Sequence, residues 1–345
     1  MGAGPSRSDH DSAQIKNKHY ESVVANLPSM QGKMVAITGC STGLGLTAAR
    51  TVAAKGGDVL MLNRPSQRAE AAEQEVKNSA TGGAKILTIA CDLMDFESVR
   101  KASKEVSKRC PNGLDVLCNN AGVMALSDTA TKDGYDVQMQ TNHLSHFLLT
   151  KELWPVLMKK SKSAGSDVRV VNHSSVARNS PAKPLMPEYF GKNGGNLGGD
   201  AKGWRDWAMI SPAWARYQQT KLAATVFTSE LKRRAEAKGV AIKSLVAHPG
   251  VAATALQGTT AKTMEYPGWW SRTIQGALGH SGDDGSLPLI MCICENSVPS
   301  GTEYAPKYLT FGGPVSAPLQ GKLADEAQGK LLWEESEKAV GQFTM

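Results

Sequence analysis

Tyr217 and Lys221 stand four residues apart in the run Tyr217-Gln-Gln-Thr-Lys221. The stretch 212–237 around them has no glycine, has proline only at its first residue and repeats apolar residues at helical spacing. This pattern predicts one helix that carries both side chains on one face. A free tyrosine has a pKa of about 10, and a nearby ammonium lowers that value. The pair therefore predicts a general acid or base, although ordinary helix surfaces also produce this spacing.

A glycine-rich turn gives the second chemical signal. The first predicted strand ends in Thr38-Gly39-Cys-Ser41-Thr-Gly43-Leu44-Gly45 and continues directly into a predicted helix. Small residues at such a turn let the backbone approach a pyrophosphate, and the helix N-terminus supplies N–H groups. The spacing differs from Gly-x-Gly-x-x-Gly, and a simple helix-entry turn is the alternative. The order of strand, turn and helix favours a dinucleotide site.

Two residues after the second predicted strand indicate which dinucleotide binds. An NAD enzyme usually places an acid there to bind the ribose 2′-hydroxyl. This chain has Asn63 and then Arg64, and a guanidinium suits a 2′-phosphate. The sequence therefore favours NADP(H) over NAD(H), with an ordinary exposed arginine at the head of a helix as the alternative.

Apolar strand patterns alternate with helical patterns along the chain. The predicted strands are 34–38, 59–62, 86–90, 116–117, 168–171 and 241–247. The predicted helices are 44–55, 66–79, 95–108, 131–160 with a kink at Pro155, and 212–237. This alternation predicts an α/β fold, a Rossmann-type doubly wound parallel sheet of about seven strands with helices on both faces. We expect a polar extension at 1–30, a single domain at 31–345 and an exposed glycine-rich loop at 191–200.

Composition excludes several classes of protein. The 345 residues are 41% hydrophobic and 21% charged, as in soluble globular proteins. No apolar run approaches the roughly 20 residues that span a bilayer. The net charge is +7, but the basic residues are dispersed and only 6% of residues are aromatic, which disfavours a nucleic-acid partner. Six scattered cysteines without metal-ligand spacing predict reduced thiols, no metal site and a cytoplasmic location.

The N-terminus suggests at most a peripheral contact with membranes. Gly2, with Ser6 four residues later, fits the pattern for N-myristoylation, which short polar N-termini also match by chance. One acyl chain gives only marginal, reversible attachment to a membrane.

Three motifs in order indicate a family. They are the glycine turn at 38–45, Asn119-Asn-Ala121-Gly122 after a short strand, and Tyr217-x-x-x-Lys221. With these motifs the chain resembles the short-chain dehydrogenase/reductase family over residues 33 to about 315. The runs 142–150, 169–175, 248–250 and 222–231 resemble the branch of retinol dehydrogenases, WW-domain oxidoreductases and protochlorophyllide reductases. The substrates of that branch are mostly apolar carbonyls, alcohols or pigments.

The resemblance implies four catalytic residues. Tyr217 would exchange the proton with the carbonyl or alcohol oxygen, and Ser175 would hydrogen-bond that oxygen. Lys221 would hold the nicotinamide ribose and lower the pKa of Tyr217, and Asn142 would anchor a water relay. Ser174 is the alternative to Ser175.

The resemblance also implies the cofactor contacts and a subunit interface. Besides Tyr217 and Lys221, the implied NADP(H) contacts are Gly39, Ser41, Gly43, Leu44, Gly45, Arg64, Asp92, Leu93, Asn119, Ala121, Gly122, Pro249, Gly250, Val251 and Thr254. The assembly that the resemblance suggests is a homodimer or a tetramer through the helices at 131–160 and 212–237.

The chain departs from the family pattern in three places. A long insert, 176–216, precedes the catalytic helix and holds Trp204, Trp207 and Trp214, as either a lid over substrate or a tolerated surface loop. Thr42 stands where many NADP-dependent members have a basic residue. The region 255–285 is expected to close over substrate, and its apolar residues at 261–277 could instead form core or touch a membrane.

Four histidines fall near the predicted site: His143, His146, His173 and His248. Their spacing does not converge on a metal, and we expect them to pack around the site.

The leading hypothesis is an NADP(H)-dependent oxidoreductase that interconverts a carbonyl and an alcohol on a small lipophilic substrate, such as a retinoid, steroid or lipid. A protochlorophyllide-type reduction of a pigment double bond is the alternative within enzymes. A nucleotide-binding scaffold without catalysis is the alternative from another class, but it has no chemical need for all four catalytic residues.

Overall fold

The computed structural model describes residues 15–345 except 164, 166, 180–182, 201–204, 206–207, 252–280 and 309–310. Its centre is one sheet with the strand order β3-β2-β1-β4-β5-β6-β7-β8. Strands β1 to β7 run parallel and β8 pairs antiparallel with β7 at the edge. The strands are β1 Met34–Thr38, β2 Asp58–Asn63, β3 Ile86–Ala90, β4 Val116–Asn119, β5 Val168–His173, β6 Ile242–Ala247, β7 Thr302–Pro306 and β8 Pro314–Pro318.

Helices cover both faces of the sheet, which confirms the predicted doubly wound α/β fold. The helices are α1 Tyr20–Ala25, α2 Gly43–Ala54, α3 Gln67–Ser79, α4 Phe96–Arg109, α5 Val137–Met139, α6 Ser145–Ser161, α7 Pro212–Ala237, α8 Gly282–Cys294 and α9 Glu326–Val340. Val35 and Ile37 of β1 pack with α2 and α8, whereas Ala36 packs with the layer of α4, α6 and α7. Alternation along a strand sends neighbouring side chains into the two layers.

The helix predicted at 131–160 begins later than the sequence suggested. Residues 130 and 136 form a β-bridge across a turn, and Asp136 caps α5 by accepting from the N–H groups of Gln138 and Met139. A π-helical turn, Gln140–Leu144, then joins α5 to α6. The prediction was wrong for 131–136 because periodicity alone did not reveal Asp136 as a cap. Pro155 lies inside the continuous helix α6.

The sequence assigned no element to β7, β8 or α9. β8 begins and ends with proline, which sheets tolerate at an edge. Helix α9 packs on α6 and α7, with Trp333 against Phe147 and Phe227. The guanidinium of Arg234 lies over the Trp333 ring, 4.2 Å from its centroid. Part of the surface expected to meet a second subunit is therefore covered by the same chain.

The segment 15–30 packs on the domain. Asp284 of α8 accepts hydrogen bonds from the backbone N–H groups of Lys18, His19 and Tyr20. Leu27 and Met30 are buried in the core. Within the described residues, no helix combines the length and apolarity needed to cross a membrane.

Candidate active site

The candidate site lies where the strand order changes direction, between β1 and β4. The chain crosses from β1 to β2 on one side and later continues from β4 to β5 on the other. In open α/β sheets, ligands bind outside the carboxyl ends of the strands at such a switch point. Thr38 ends β1 and Asn119 ends β4 at this position.

The glycine turn is shaped by close backbone approaches. Gly39 and Gly43 have φ of 66° and 58°, in the left-handed region that favours glycine. A Cβ added to Gly45 would lie 2.3 Å from Asn120 Nδ2 and 2.5 Å from the Gly39 carbonyl oxygen. Thr42, the N-cap of α2, makes no side-chain hydrogen bond to the helix. The first N–H groups of α2 can therefore bind an anion, as dinucleotide sites require.

Asn120 holds this turn against β4, a role that the sequence did not reveal. Its Nδ2 donates to the carbonyl oxygens of Thr38 at 2.8 Å and Gly39 at 3.1 Å. Its Oδ1 accepts from His173 Nδ1 at 2.8 Å. By contrast, Asn119 donates from its side chain to Thr150 and Asn172, which ties neighbouring elements together. The Asn119-Asn120 doublet was the available signal, since adjacent side chains at a strand end point to opposite sides.

The remaining predicted cofactor contacts occupy the ends of β2, β3 and β6. Arg64 is exposed after β2, and the Asn63 side chain accepts from the Cys40 N–H at 2.9 Å. Asp92 and Leu93 follow β3. Pro249, Gly250 and Val251 follow β6, and Gly250 has a φ of 67°. Thr254, most of the 255–285 region, Trp204 and Trp207 lie outside the described residues.

The four predicted catalytic residues come together beside Gly122. Tyr217 and Lys221 are both buried on α7, and Lys221 Nζ lies 5.7 Å from the Tyr217 ring centroid. Ser175 follows β5, and its side chain lies near enough to Tyr217 to oppose the rise in the pKa of that residue. A Cβ added to Gly122 would lie 3.3 Å from both Asn142 Oδ1 and Lys221 Nζ. Gly122 therefore lies next to both the side-chain amide of Asn142 and the ammonium of Lys221.

Asn142 and Ser174 make the contacts that hold the site together. The Asn142 side chain pairs with both the N–H and the carbonyl of Val123, and it donates to Thr220 Oγ1 on α7. Ser174 donates to the Lys221 carbonyl oxygen at 2.7 Å and accepts from Thr225. Ser174 is therefore engaged with α7, which favours Ser175 as the residue that faces Tyr217.

Comparisons with known proteins identify the family. The family model for short chain dehydrogenases matches residues 33–189. Retinol dehydrogenase 13 of Homo sapiens is 30% identical over 321 residues, which cover 91% of this chain and 86% of that protein. This chain belongs to the short-chain dehydrogenase family.

Further relatives agree with this family. Retinol dehydrogenase 11 of Homo sapiens is 34% identical over 69% of this chain and 66% of that protein. A crystal structure of an uncharacterized protein from Mycobacterium Paratuberculosis has a TM-score of 0.70 at 30% identity, covering 93% of this chain and 98% of that one. The chain is thus an oxidoreductase of a family that binds a nicotinamide cofactor and resembles the retinol dehydrogenases.

Burial controls the ionisation of the two central residues of this dehydrogenase. Burial raises the pKa of Tyr217 to about 12, and the hydrogen bond with Ser175 opposes that rise. Burial lowers the pKa of Lys221 to about 8. The sequence predicted that Lys221 would lower the pKa of Tyr217. In this structure desolvation dominates instead, and Lys221 Nζ donates to the His173 carbonyl oxygen at 3.0 Å.

His143, His146 and His248 are buried and His173 is half-buried, and each of the four has a hydrogen-bond partner. Burial lowers the pKa of His143, His173 and His248 to about 3 and that of His146 to about 4. His146 Nδ1 donates to the Asn142 carbonyl oxygen, so its Nε2 accepts from the Thr38 hydroxyl at 2.9 Å. Among the described residues, no three His, Cys, Asp or Glu side chains form a group that could hold a metal.

A small apolar cluster adjoins Tyr217. The Trp214 ring lies edge-on to the Tyr217 ring, with 5.8 Å between centroids. Ala125, Ala213 and the half-buried Met124 and Ala177 complete the cluster. Ala125 has a φ of 50°, an unusual value for a residue with a side chain. The side chains that pack around the candidate proton donor are therefore apolar, and Met124 and Ala177 are the partly exposed ones.

Proposed function

We propose that this dehydrogenase uses NADP(H) to interconvert a carbonyl and an alcohol on a lipophilic substrate, with Tyr217, Ser175, Lys221 and Asn142 as its active residues. The observation that carries the proposal is their convergence beside Gly122, next to the glycine turn at the switch point. A cofactor bound along that turn would bring its nicotinamide to these side chains.

The chain offers suitable groups along the cofactor path. Gly39, Ser41, Gly43, Leu44 and Gly45 would hold the pyrophosphate at the N-terminus of α2. The residues at the neighbouring strand ends would hold the rest of the cofactor: Asp92, Leu93, Asn119, Ala121, Gly122, Pro249, Gly250 and Val251. The resemblance adds Thr254, which lies outside the described residues. The exposed Arg64 would bind the 2′-phosphate, since the adjacent Asn63 is neutral and already accepts from the Cys40 N–H.

The cofactor would supply or accept the hydride, and side chains of the protein would donate or accept the proton. During reduction the carbonyl oxygen becomes an alkoxide, which is a much stronger base than a tyrosinate. Tyr217 can therefore donate its proton even with a pKa of about 12. The Ser175 hydroxyl would hydrogen-bond the same oxygen and stabilise its developing charge. The Lys221 ammonium would bind the nicotinamide ribose and, with Asn142, resupply the proton.

A lipophilic substrate suits the surroundings of Tyr217. Trp214, Met124, Ala125 and Ala177 present apolar surface beside the proton donor. The names of the relatives, retinol dehydrogenases 13 and 11, point to the same substrate class. A long apolar carbonyl or alcohol such as a retinoid is therefore the proposed substrate.

The direct test replaces Tyr217 by Phe. We expect Tyr217→Phe to lose carbonyl-dependent NADPH oxidation by at least about a hundredfold, the contribution typical of a positioned acid. NADPH binding, measured by titration of its fluorescence, should change little. Tyr20→Phe is the matched control, because that hydroxyl contacts Thr51 away from the site. Retained turnover in Tyr217→Phe would remove the proposed proton donor.

A further inference from the structure

We propose that Arg216 and Asp128 hold the glycine-rich loop 194–200 as a preformed wall of the substrate site, and that this wall determines how tightly a long apolar substrate binds. The proposal rests on the proposed function above. For residues 194–200 of the insert 176–216, this role differs from both the lid and the tolerated surface loop, because the loop would contact substrate from a fixed position.

Asp128 binds the loop through its backbone N–H groups. Oδ1 accepts from Gly195 at 3.0 Å, and Oδ2 accepts from Leu197 at 2.7 Å and Gly199 at 2.8 Å. The Asp128 side chain is only 4% exposed. Three N–H groups that converge on one carboxylate fix the conformation of the loop, because charge-assisted hydrogen bonds are the strong ones.

Arg216 binds the same loop through its carbonyl groups. Nη1 donates to the carbonyl oxygens of Leu197 at 3.0 Å and Gly199 at 3.1 Å. Nη2 donates at 3.0 Å to the carbonyl oxygen of Leu126, the residue after Ala125. The Arg216 side chain is fully buried, and Asp128 and Asp136 lie 3.6 Å and 3.4 Å from its nitrogens. A planar guanidinium can serve several acceptors at once, which a lysine cannot.

These contacts join the loop to both sides of the proposed site. Arg216 directly precedes Tyr217 on α7, and its partner Asp136 caps the helix that leads to Asn142. The loop also packs closely on its surroundings. A Cβ added to Gly194 would lie 2.7 Å from both the Ala130 Cα and the Tyr135 carbonyl oxygen. One rigid unit therefore joins the loop 194–200, the segment 126–136 that follows β4, and α7, and it adjoins the apolar cluster that contains Trp214.

The rigidity of this unit has a consequence for substrate binding. A wall that is already in place costs no conformational entropy when substrate binds. A short substrate that reaches only Tyr217 and Ser175 gains little from the wall. A long apolar substrate extends past Trp214 and gains the contact. Loosening the loop should therefore weaken the binding of long substrates selectively.

The experiment compares Asp128→Ala with wild type in the presence of NADP⁺. The Kd values of all-trans-retinal and benzaldehyde are measured by quenching of tryptophan fluorescence. Hydrogen exchange is followed by mass spectrometry for a peptide that covers 194–200. Asp325→Ala is the matched control, since Asp325 accepts a backbone N–H at the start of α9, outside the site. Gly194→Ala, with Gly313→Ala as its control, perturbs the loop without removing a charge, because the nearest atom to a Gly313 Cβ would be 3.7 Å away.

We expect Asp128→Ala to exchange the loop amides at least about tenfold faster and to raise the Kd of retinal about tenfold. The Kd of benzaldehyde should stay within about twofold, and Gly194→Ala should act in the same direction.

If the loop amides exchange faster while the Kd of retinal stays unchanged, the loop is only a surface loop and the proposal is overturned. An equal rise in the Kd values of retinal and benzaldehyde would also overturn it. If Asp128→Ala does not fold, Gly194→Ala decides alone. A wild-type protein that binds retinal with this dependence on the loop but does not reduce it would contradict the proposed function and support the wall. Binding of neither probe by wild type would overturn both.

Discussion

A chain of hydrogen bonds through His146 and His173 should make the stability of this protein sensitive to mild acid. His146 accepts from Thr38, which in turn accepts from the Asn120 N–H, and Asn120 accepts from His173. His173 accepts from Lys221 through its carbonyl oxygen. Protonating His146 would convert an acceptor nitrogen into a donor that faces the Thr38 hydroxyl, while placing a charge in a buried site near the Lys221 ammonium.

The size of the effect follows from the difference in pKa between the folded and unfolded states. Burial lowers the pKa of His146 to about 4, below the ordinary value of about 6.5. The unfolded chain therefore takes up a proton as the pH falls through about 6.5, whereas the folded chain does not until about 4. Stability is complete above about pH 7 and is lost as the pH falls through this window. Between about pH 7 and pH 5, His146 alone should lower the free energy of unfolding by about 2 kcal/mol.

The assay is urea unfolding of wild type and His146→Gln at both pH values. Glutamine keeps a donor and an acceptor but does not titrate, so the loss of stability between the two pH values should shrink by about 2 kcal/mol. His143→Gln should shrink it similarly, because burial also lowers the pKa of that histidine to about 3. Thr38→Val should reduce stability by the same amount at both pH values. An unchanged pH dependence in both histidine variants would refute the assignment of these groups as neutral and buried.

The structure predicts four further outcomes. Gly45→Ala should abolish NADPH binding or folding because its Cβ would lie 2.3 Å from Asn120 Nδ2, and a calorimetric titration that matches wild type would contradict this close approach. Arg64→Glu should raise the Kd of NADPH at least about tenfold while that of NADH changes little, and equal changes in both would remove the 2′-phosphate role. NADPH affinity should fall above about pH 8, where Lys221 loses its charge, and Lys221→Met should lack this dependence. Light scattering should give a monomer mass, because α9 packs on α7 and its Trp333 contacts Phe147 of α6 over part of the expected interface, and a dimer mass would show that assembly uses the surface that α9 leaves open.

The pattern of apolar residues predicted most of the sheet because parallel strands are buried on both faces. β1 and β3 have the predicted bounds, and β2, β4 and β5 extend beyond them. The helix predicted at 131–160 was wrong at its start, since the Asp136 cap acts through a hydrogen bond rather than through periodicity. Asn119 and Asn120 show the same limit of prediction from sequence patterns. Spacing located the motif, but only the contacts of each side chain distinguish the residue that ties strands together from the one that holds the glycine turn.

Contacts between residues far apart in the sequence determine features that local sequence patterns did not predict. Arg216 looked like an ordinary helix residue beside Tyr217, yet its partners lie near residues 126, 136 and 197–200. Nothing in the local sequence predicts that a charged side chain at this position is fully buried. The insert could therefore be recognised by its length alone, while its relation to the site depended on the fold.

The ionisation of Tyr217 and Lys221 favours the two directions of the reaction unequally. Burial raises the pKa of Tyr217 to about 12 and lowers that of Lys221 to about 8, so near neutral pH both side chains hold their protons. That state suits donation to an alkoxide and hence reduction. In the proposed reaction, oxidation of an alcohol would need Tyr217 as a phenolate, which nearby positive charge would stabilise in a buried site. The Lys221 ammonium and the positively charged oxidised nicotinamide would supply it together. Oxidation by this protein should therefore depend on pH much more steeply than reduction.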